Sequence, residues 1–451
     1  MKATLAKGTA GLLLLAAAAC GADAKSGDGK IEITVSGMPP STQAASQKDF
    51  LKYVAEFEKA NPNIKLKPTD AQYDVKTFAA RLAAGQLETV FRVPLTDPQA
   101  LLKRRQIADI TGEMNSVQHG SDFDKRILAP ATGPDGKIYG LPTEAYAAGL
   151  VYNRKLFDEA GLDPDKPPTT WDEVRKDAKI IAEKTGVPGF GMHSTTNTGG
   201  WMLTTLTYAF GGRMEKPEGD RQVVAFQEGP TLQALSLLKA MRWEDDSMGA
   251  QQLRNQDDLL RDFAGGKVAM MMGAPNLFSS FKTKFGGDAE IYGQAALPLG
   301  PGGGTLLGGT VAVVSPKATP EQRAAAVKWI DYYYLRPKYD PAPASERTKK
   351  KAADNLPAGV PQLPFYDEAI SGPVIQAERA DSNVPLKNFD SYVTTVGKQE
   401  FVVEPPVAGQ ELYAALDSVV QAVLTRKDAD PATELKAAAE KVTPILDRSQ
   451  R

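Results

Sequence analysis

The chain reads as an α/β protein with enough material for two domains. Three observations lead there. A strand, a helix and a second strand follow one another within residues 31–66, and helices with explicit N-terminal caps recur further along. In addition, 42% of the 451 residues are hydrophobic, which over this length can bury more than one core.

In IEITVS, Ile31, Ile33 and Val35 alternate with polar residues, the period of a strand, and the loop SGMPPST follows its carboxyl end. Phe50, Tyr53, Val54 and Phe57 then fall at i, i+3, i+4 and i+7, a helical stripe that stops at Asn61-Pro62. Ile64 and Leu66 alternate again, so the segment is a βαβ unit whose strands run parallel. TVFRV continues as strand and PQALLKRRQ as helix. Thr170 and Glu173 form a capping box before a helix carrying Val174, Ala178 and Ile181, with Gly186 as its stop. A second box spans Thr319 to Gln322, with Pro320 at the first helical position. Residues 336–364, with their prolines and the run Lys349-Lys350-Lys351, are expected to be mostly loop with one short solvated helix. From Glu411 to Leu446 two helices, broken at Asp430-Pro431, are expected to pack on the second domain.

The N-terminus has a leader's layout: Lys2 and Lys7, then an apolar run from Gly11 to Ala19 too short to span a bilayer. The sole cysteine, Cys20, follows four alanines. It has no partner for an internal disulfide, and an exported thiol is an oxidation liability unless consumed. The segment resembles a bacterial lipoprotein signal, in which small residues precede a cysteine that becomes acylated, although Ala17 stands where such signals usually carry leucine. The competing reading is A-x-A cleavage after Ala22-Asp23-Ala24, which would discard Cys20. Residues 25–30 (KSGDGK) read as a polar tether. A formal charge of −2 singles out neither nucleic acid nor a charged surface as partner.

Enzyme chemistry leaves few traces. There is no G-x-S-x-G elbow and no H-E-x-x-H, and the glycine-rich stretches fit neither a P-loop nor a dinucleotide fingerprint. The two histidines, His119 and His193, are too few for most zinc sites and are expected to be surface or ligand-contact residues. Adjacent carboxylates such as Asp245-Asp246 and Asp257-Asp258 face different ways on a helix. A glycosidase with carboxylates drawn from distant segments stays open, because such residues leave little local signature. Met270-Met271-Met272 is read as core rather than as a metal site. No catalytic residue, metal or cofactor is expected.

Four stretches carry a resemblance: FEKANPNIKLK, GKIYGLPTEAYAAGLVYNRKLFDEAGLDPDKPPTTWDEV, FAGGKVAMMMGAP and LPLGPGGGTLLGGTVAVVSPKATPEQRAAAVKWIDYY. A weaker one is LYAALDSVVQAVL. In order and spacing the chain resembles the extracellular solute-binding proteins of bacterial ABC importers, in the carbohydrate-binding group that includes maltose-binding protein. The resemblance implies two α/β lobes, each a mostly parallel sheet flanked by helices, with a ligand cleft between them. The expected lobes are 31–145 with 308–335, and 146–307 with 336–451, with crossings near 143–148, 308–311 and 334–338. It further implies a monomer that captures a sugar by hinge closure and hands it to permease subunits, anchored to the outer face of the cytoplasmic membrane by Cys20. A polyol or glycerol phosphate is the alternative solute; a basic cluster in the cleft would favour phosphate, and the sequence shows none.

A pyranose needs aromatic platforms for its C–H faces and polar groups for its hydroxyl rim. Trp171, Trp243 and Trp329 are read as core. Trp201 follows the polar loop HSTTNTGG, which includes His193 and Asn197, and is the expected platform. Tyr146 and Glu144 lie in the stretch that aligns with a crossing. Asn276 and Phe278 stand where the family often has tryptophan, a departure that weakens the carry-over. Gly308 and Gly309 are expected to let backbone approach a ligand or to serve the hinge. Met38, Gln43, Arg92 and Asp97 are placed in loops after first-lobe strands, with an Arg92–Asp97 surface pair as the plainer reading. Tyr413 is expected as a late contact.

Overall fold

The computed structural model describes residues 29–450; the expected leader, Cys20 and most of the tether lie outside them. The strands in chain order are β1 (Ile31–Val35), β2 (Ile64–Pro68), β3 (Val90–Pro94), β4 (Leu141–Ala147), β5 (Gly149–Asn153) and β6 (Glu215–Glu218). They continue with β7 (Arg221–Val224), β8 (Met270–Gly273), β9 (Tyr292–Ala296), β10 (Thr305–Val314) and β11 (Phe401–Val403). The larger sheet runs β11-β10-β3-β1-β2, with β4 also paired to β10. Within it β1 lies parallel to β2 and β3, as the βαβ pattern requires, while β10 runs antiparallel to β3 and β4. The second lobe has the three-stranded sheet β8-β5-β9, and β6-β7 form a separate hairpin.

That second sheet corrects an expectation. Its named strands pair antiparallel rather than mostly parallel, and only an isolated bridge, Gly191 to Met271, is parallel.

Two main cores flank the crossings. The first gathers β1 to β4, most of β10 and the helix Ala44–Ala60, which buries Phe50, Val54 and Phe57 along the expected stripe. The second gathers β5 with the helices Trp171–Thr185, Thr198–Ala209, Gly229–Trp243, Gly409–Thr425 and Pro431–Ser449. Core membership changes between adjacent residues: Ala147 and Leu307 belong to the first, Ala148 and Leu306 to the second. A third cluster of rings, Phe263, Phe278, Phe281, Tyr292 and Phe389, backs the small sheet.

Both capping boxes form as read, at Thr170/Glu173 and Thr319/Gln322, and Gly186 closes its helix in the left-handed conformation. The proline-rich segment differs. Pro341–Ala353 is a 13-residue helix; Asp340 caps it by accepting the Ala342 N–H at 3.0 Å. Pro341 and Pro343 fall in its first turn, where no intrahelical N–H partner is required, and Ala344 and Thr348, four apart, form the buried face. Leu363, Phe365 and Tyr366 join the first core, tied by the Asp124 N–H donating to the Phe365 carbonyl at 2.8 Å. Before this segment, Asp331–Leu335 forms a π-helical turn, DYYYL, a wide turn that recurs at functional sites.

Candidate functional site

The floor is built where β4 and β10 cross between lobes. Gly308 is registered opposite Tyr146, and Thr310 opposite Glu144. A Cβ at Gly308 would lie 2.5 Å from the Tyr146 ring, so the missing side chain is what lets the phenol rest against β10. Gly309 has φ +150° and lies against the Glu144 carbonyl, leaving no room for a Cβ. Burial, with Glu404 and Glu144 adding, raises the Tyr146 pKa well above the usual phenol range, so the hydroxyl stays protonated and able to donate. On β3, Arg92 donates from Nη2 to Thr310 Oγ1 at 2.7 Å. Its guanidinium sits 3.7 Å from Glu144 Oε2 and 5.4 Å from the Tyr334 ring centre.

The second lobe supplies a wall. The helix Thr198–Ala209 has its N-terminus held by Asp417, which accepts the Asn197 and Gly200 N–H groups at 2.7 and 2.8 Å; a carboxylate there also answers the helix dipole. This anchoring sets Trp201 in the first turn. Glu404 follows β11 and accepts the Tyr413 hydroxyl at 3.3 Å. The Trp201 indole is near enough to favour the Glu404 carboxylate without meeting strict hydrogen-bond geometry. Burial pushes the Glu404 pKa up to about 7, with Asp97 adding from the first lobe. The cluster therefore offers ring faces beside an acid that is near half-ionised at neutral pH, suited to C–H faces and hydroxyls together.

Beside this floor lies a cavity of about 800 Å³ lined by Tyr53, Tyr334, Lys338, Arg347 and Lys351. Gln362 borders both this cavity and the smaller pocket that holds Glu144, Tyr146 and Asn276. The cavity has the size of a small-molecule site and draws its lining from both lobes, Ser46 and Thr143 on one side and Ser279 on the other.

The family profile described as bacterial extracellular solute-binding protein matches residues 41–337. The chain belongs to that family. A binding protein of Brucella abortus is 28% identical over 332 residues, covering 72% of this chain and 76% of the relative. The sn-glycerol-3-phosphate-binding periplasmic protein UgpB of Salmonella typhimurium is 21% identical over 297 residues, 61% of this chain and 65% of that one. The cyclic α-maltosyl-1,6-maltose binding protein of Arthrobacter globiformis superposes with a TM-score of 0.70 at 20% identity, over 93% of this chain and 100% of that one. The likeness shows the two-lobed fold.

Within this solute-binding protein, Trp201, Tyr413, Tyr146, Glu144, Arg92, Asp97, Gly308, Gly309 and Asn276 gather at the crossing and its walls. Arg92 lies in β3 itself, not in the loop after it, and its carboxylate neighbour is Glu144 instead of Asp97. Asp97 accepts the Thr96 hydroxyl at 2.6 Å.

Tyr413, 2% exposed, belongs to the second core and meets the site through its hydroxyl on Glu404, and packing places several other expected contacts away from the junction. Phe278 is 1% exposed and meets Tyr292 edge-on at 5.0 Å, so it is core. His193 is also 1% exposed; burial, with Arg254 adding, pushes its pKa down to about 3, and it presents no face to a solute. Asn197 spends its side chain on Gln410 at 3.2 Å. Gln43 is exposed at the helix start, outside the residues lining the cavity. Met38, half-buried, packs on the first core.

Sequence reasoning missed Glu404, Tyr334, Lys338 and Gln362. Glu404 had one usable signal, an acid between the strand FVV and Pro405-Pro406.

Proposed function

We propose that this solute-binding protein captures a sugar and delivers it, unaltered, to the membrane subunits of an ABC importer. The observation that carries the reading is the grouping of Trp201, Tyr146 and Tyr413 around Glu404 where the two lobes meet. The part-exposed Trp201 and Tyr146 rings supply stacking surface, Tyr413 orients Glu404 from within the second core, and Glu404, Glu144 and Arg92 supply acceptors and donors for a hydroxyl rim. The crossings near Ala147–Ala148 and Leu306–Leu307 act as hinges; the expected division, 31–145 with 308–335 against 146–307 with 336–451, is amended in that Tyr339, Leu363, Phe365 and Tyr366 pack on the first core while the two C-terminal helices pack on the second. A solute touching both lobes favours closure by the difference between its open- and closed-state contacts. The body works as a monomer held at the membrane by acylated Cys20.

A thermal-shift screen across neutral sugars tests the reading, since a solute at a hundredfold excess over its Kd stabilises the fold by about 2.7 kcal/mol. Trp201→Ala is expected to weaken the best binder by about 1–3 kcal/mol; unchanged affinity removes Trp201 from the site. Cys20→Ser is expected to release the protein from membranes, and retention of that variant counts against the anchor.

A further inference from the structure

One wall of the large cavity carries an excess of basic side chains. Three of its groups have no carboxylate within ion-pair distance among the described residues: Lys338, Arg347 and Lys351. Their neighbours in sequence are satisfied. Lys350 pairs with Asp49 and Asp354, each at 3.1 Å, and Lys349 faces Asp381 at 3.7 Å.

Arg347 is held rigidly. Its guanidinium lies 4.7 Å from the Tyr53 ring centre and 5.0 Å from that of Tyr333, and Nη2 donates to the Tyr333 carbonyl at 2.8 Å. Nε is buried and unpartnered. Lys338 is half-buried, its ammonium 5.3 Å from the Phe365 ring centre. Glu378 also lines the cavity; it makes no close ion pair with Lys338 or Lys351, but its charge acts on both.

Three cations facing the one remaining carboxylate, Glu378, leave this wall with an excess of positive charge, and the half-buried Lys338 and Arg347 are incompletely solvated, a cost that a bound anion removes. We infer that the solute carries an anionic group, a phosphate or a carboxylate, which Lys338, Arg347 and Lys351 bind while its polyhydroxyl part reaches the Tyr146 floor past Gln362. The inference rests on the reading of this cleft as the solute site, and it narrows the solute to acidic sugars or acidic polyols. The planar guanidinium, oriented by two rings, suits a planar or tetrahedral oxyanion, and the two ammonium groups add charge without fixing its geometry.

The test is calorimetric titration of the full chain with glucose, glucose 6-phosphate, glucuronate and glycerol 3-phosphate, repeated with Lys338→Gln and Lys351→Ala. Circular dichroism and Tm establish that each variant is folded. The expected result is that a charged compound binds at least about tenfold tighter than its neutral counterpart, and that each variant cuts that preference by about tenfold. Preference for glucose 6-phosphate over glucuronate assigns the oxyanion as phosphate, and the reverse assigns carboxylate; either supports the inference. Glucose binding as tightly as both its acidic derivatives overturns the inference and leaves the sugar reading standing. Glycerol 3-phosphate binding that is lost in Lys338→Gln, with no sugar compound bound, supports the anion subsite and removes the sugar. A panel in which no anionic compound binds overturns the inference, as does a charge preference that survives in both variants.

Discussion

Replacing Glu404 by glutamine isolates the energetic consequence of burying an acid at the lobe junction. The carboxyl's ordinary value of 4.5 is raised to about 7, chiefly by burial. Between those values the folded chain holds a proton that the unfolded chain has released, so raising the pH favours unfolding. Stability from this group is intact below about 4.5 and is lost as pH rises through about 7. The full displacement corresponds to about 3 kcal/mol, and because the side chain keeps partial exposure, about 2 kcal/mol is expected in practice.

Glutamine keeps the shape and an acceptor for the Tyr413 hydroxyl but does not ionise. Urea unfolding of both proteins, without added solute, at pH 4.5 and pH 8 gives the comparison. Glu215, raised to about 8 by burial, titrates equally in both proteins and cancels in the difference. Glu404→Gln should therefore gain about 2 kcal/mol on wild type between the two pH values. A difference that is the same at both pH values would refute the reasoning, because Glu404 would then be ionised in the fold as freely as in the unfolded chain.

Two further substitutions separate site from core. Phe278→Ala removes a ring packed against Phe281, Tyr292 and Phe389 and should cost about 3–5 kcal/mol in urea unfolding, while the Kd for the solute stays as in wild type; a loss of affinity without a loss of stability would return Phe278 to the site. Gly308→Ala forces a methyl to within 2.5 Å of the Tyr146 ring, so it should lower stability by about 1–3 kcal/mol and weaken solute binding through displacement of Tyr146; a variant equal to wild type in both would mean that Tyr146 moves aside at no cost.

Local signals carried most of the fold. The strand-helix-strand opening, both capping boxes and the paired helices after Glu411 are contiguous patterns, and each appears where its residues put it. The helix Pro341–Ala353 was not legible because its prolines sit in the first turn, where a helix tolerates them, and only Ala344 and Thr348 mark its buried face. In the site, Trp201 and Tyr146 stood out by residue type and neighbourhood. Phe278 and His193 look the same in sequence as ligand contacts would, and only their packing shows them to be core. Glu404 and Lys338 escaped because their environment is assembled from β11, the π turn and the loop around Gln362. The unpaired lysine at 351 is hidden in a run whose other members are paired.

The claim on which everything else depends is that two lobes hinge at Ala147–Ala148 and Leu306–Leu307 and close on a solute held between them. Small-angle scattering of the protein, before and after saturation with the compound that most raises its Tm, measures this directly. Closure predicts a smaller radius of gyration and a shortened maximum dimension on saturation. Superimposable curves at full occupancy would contradict it.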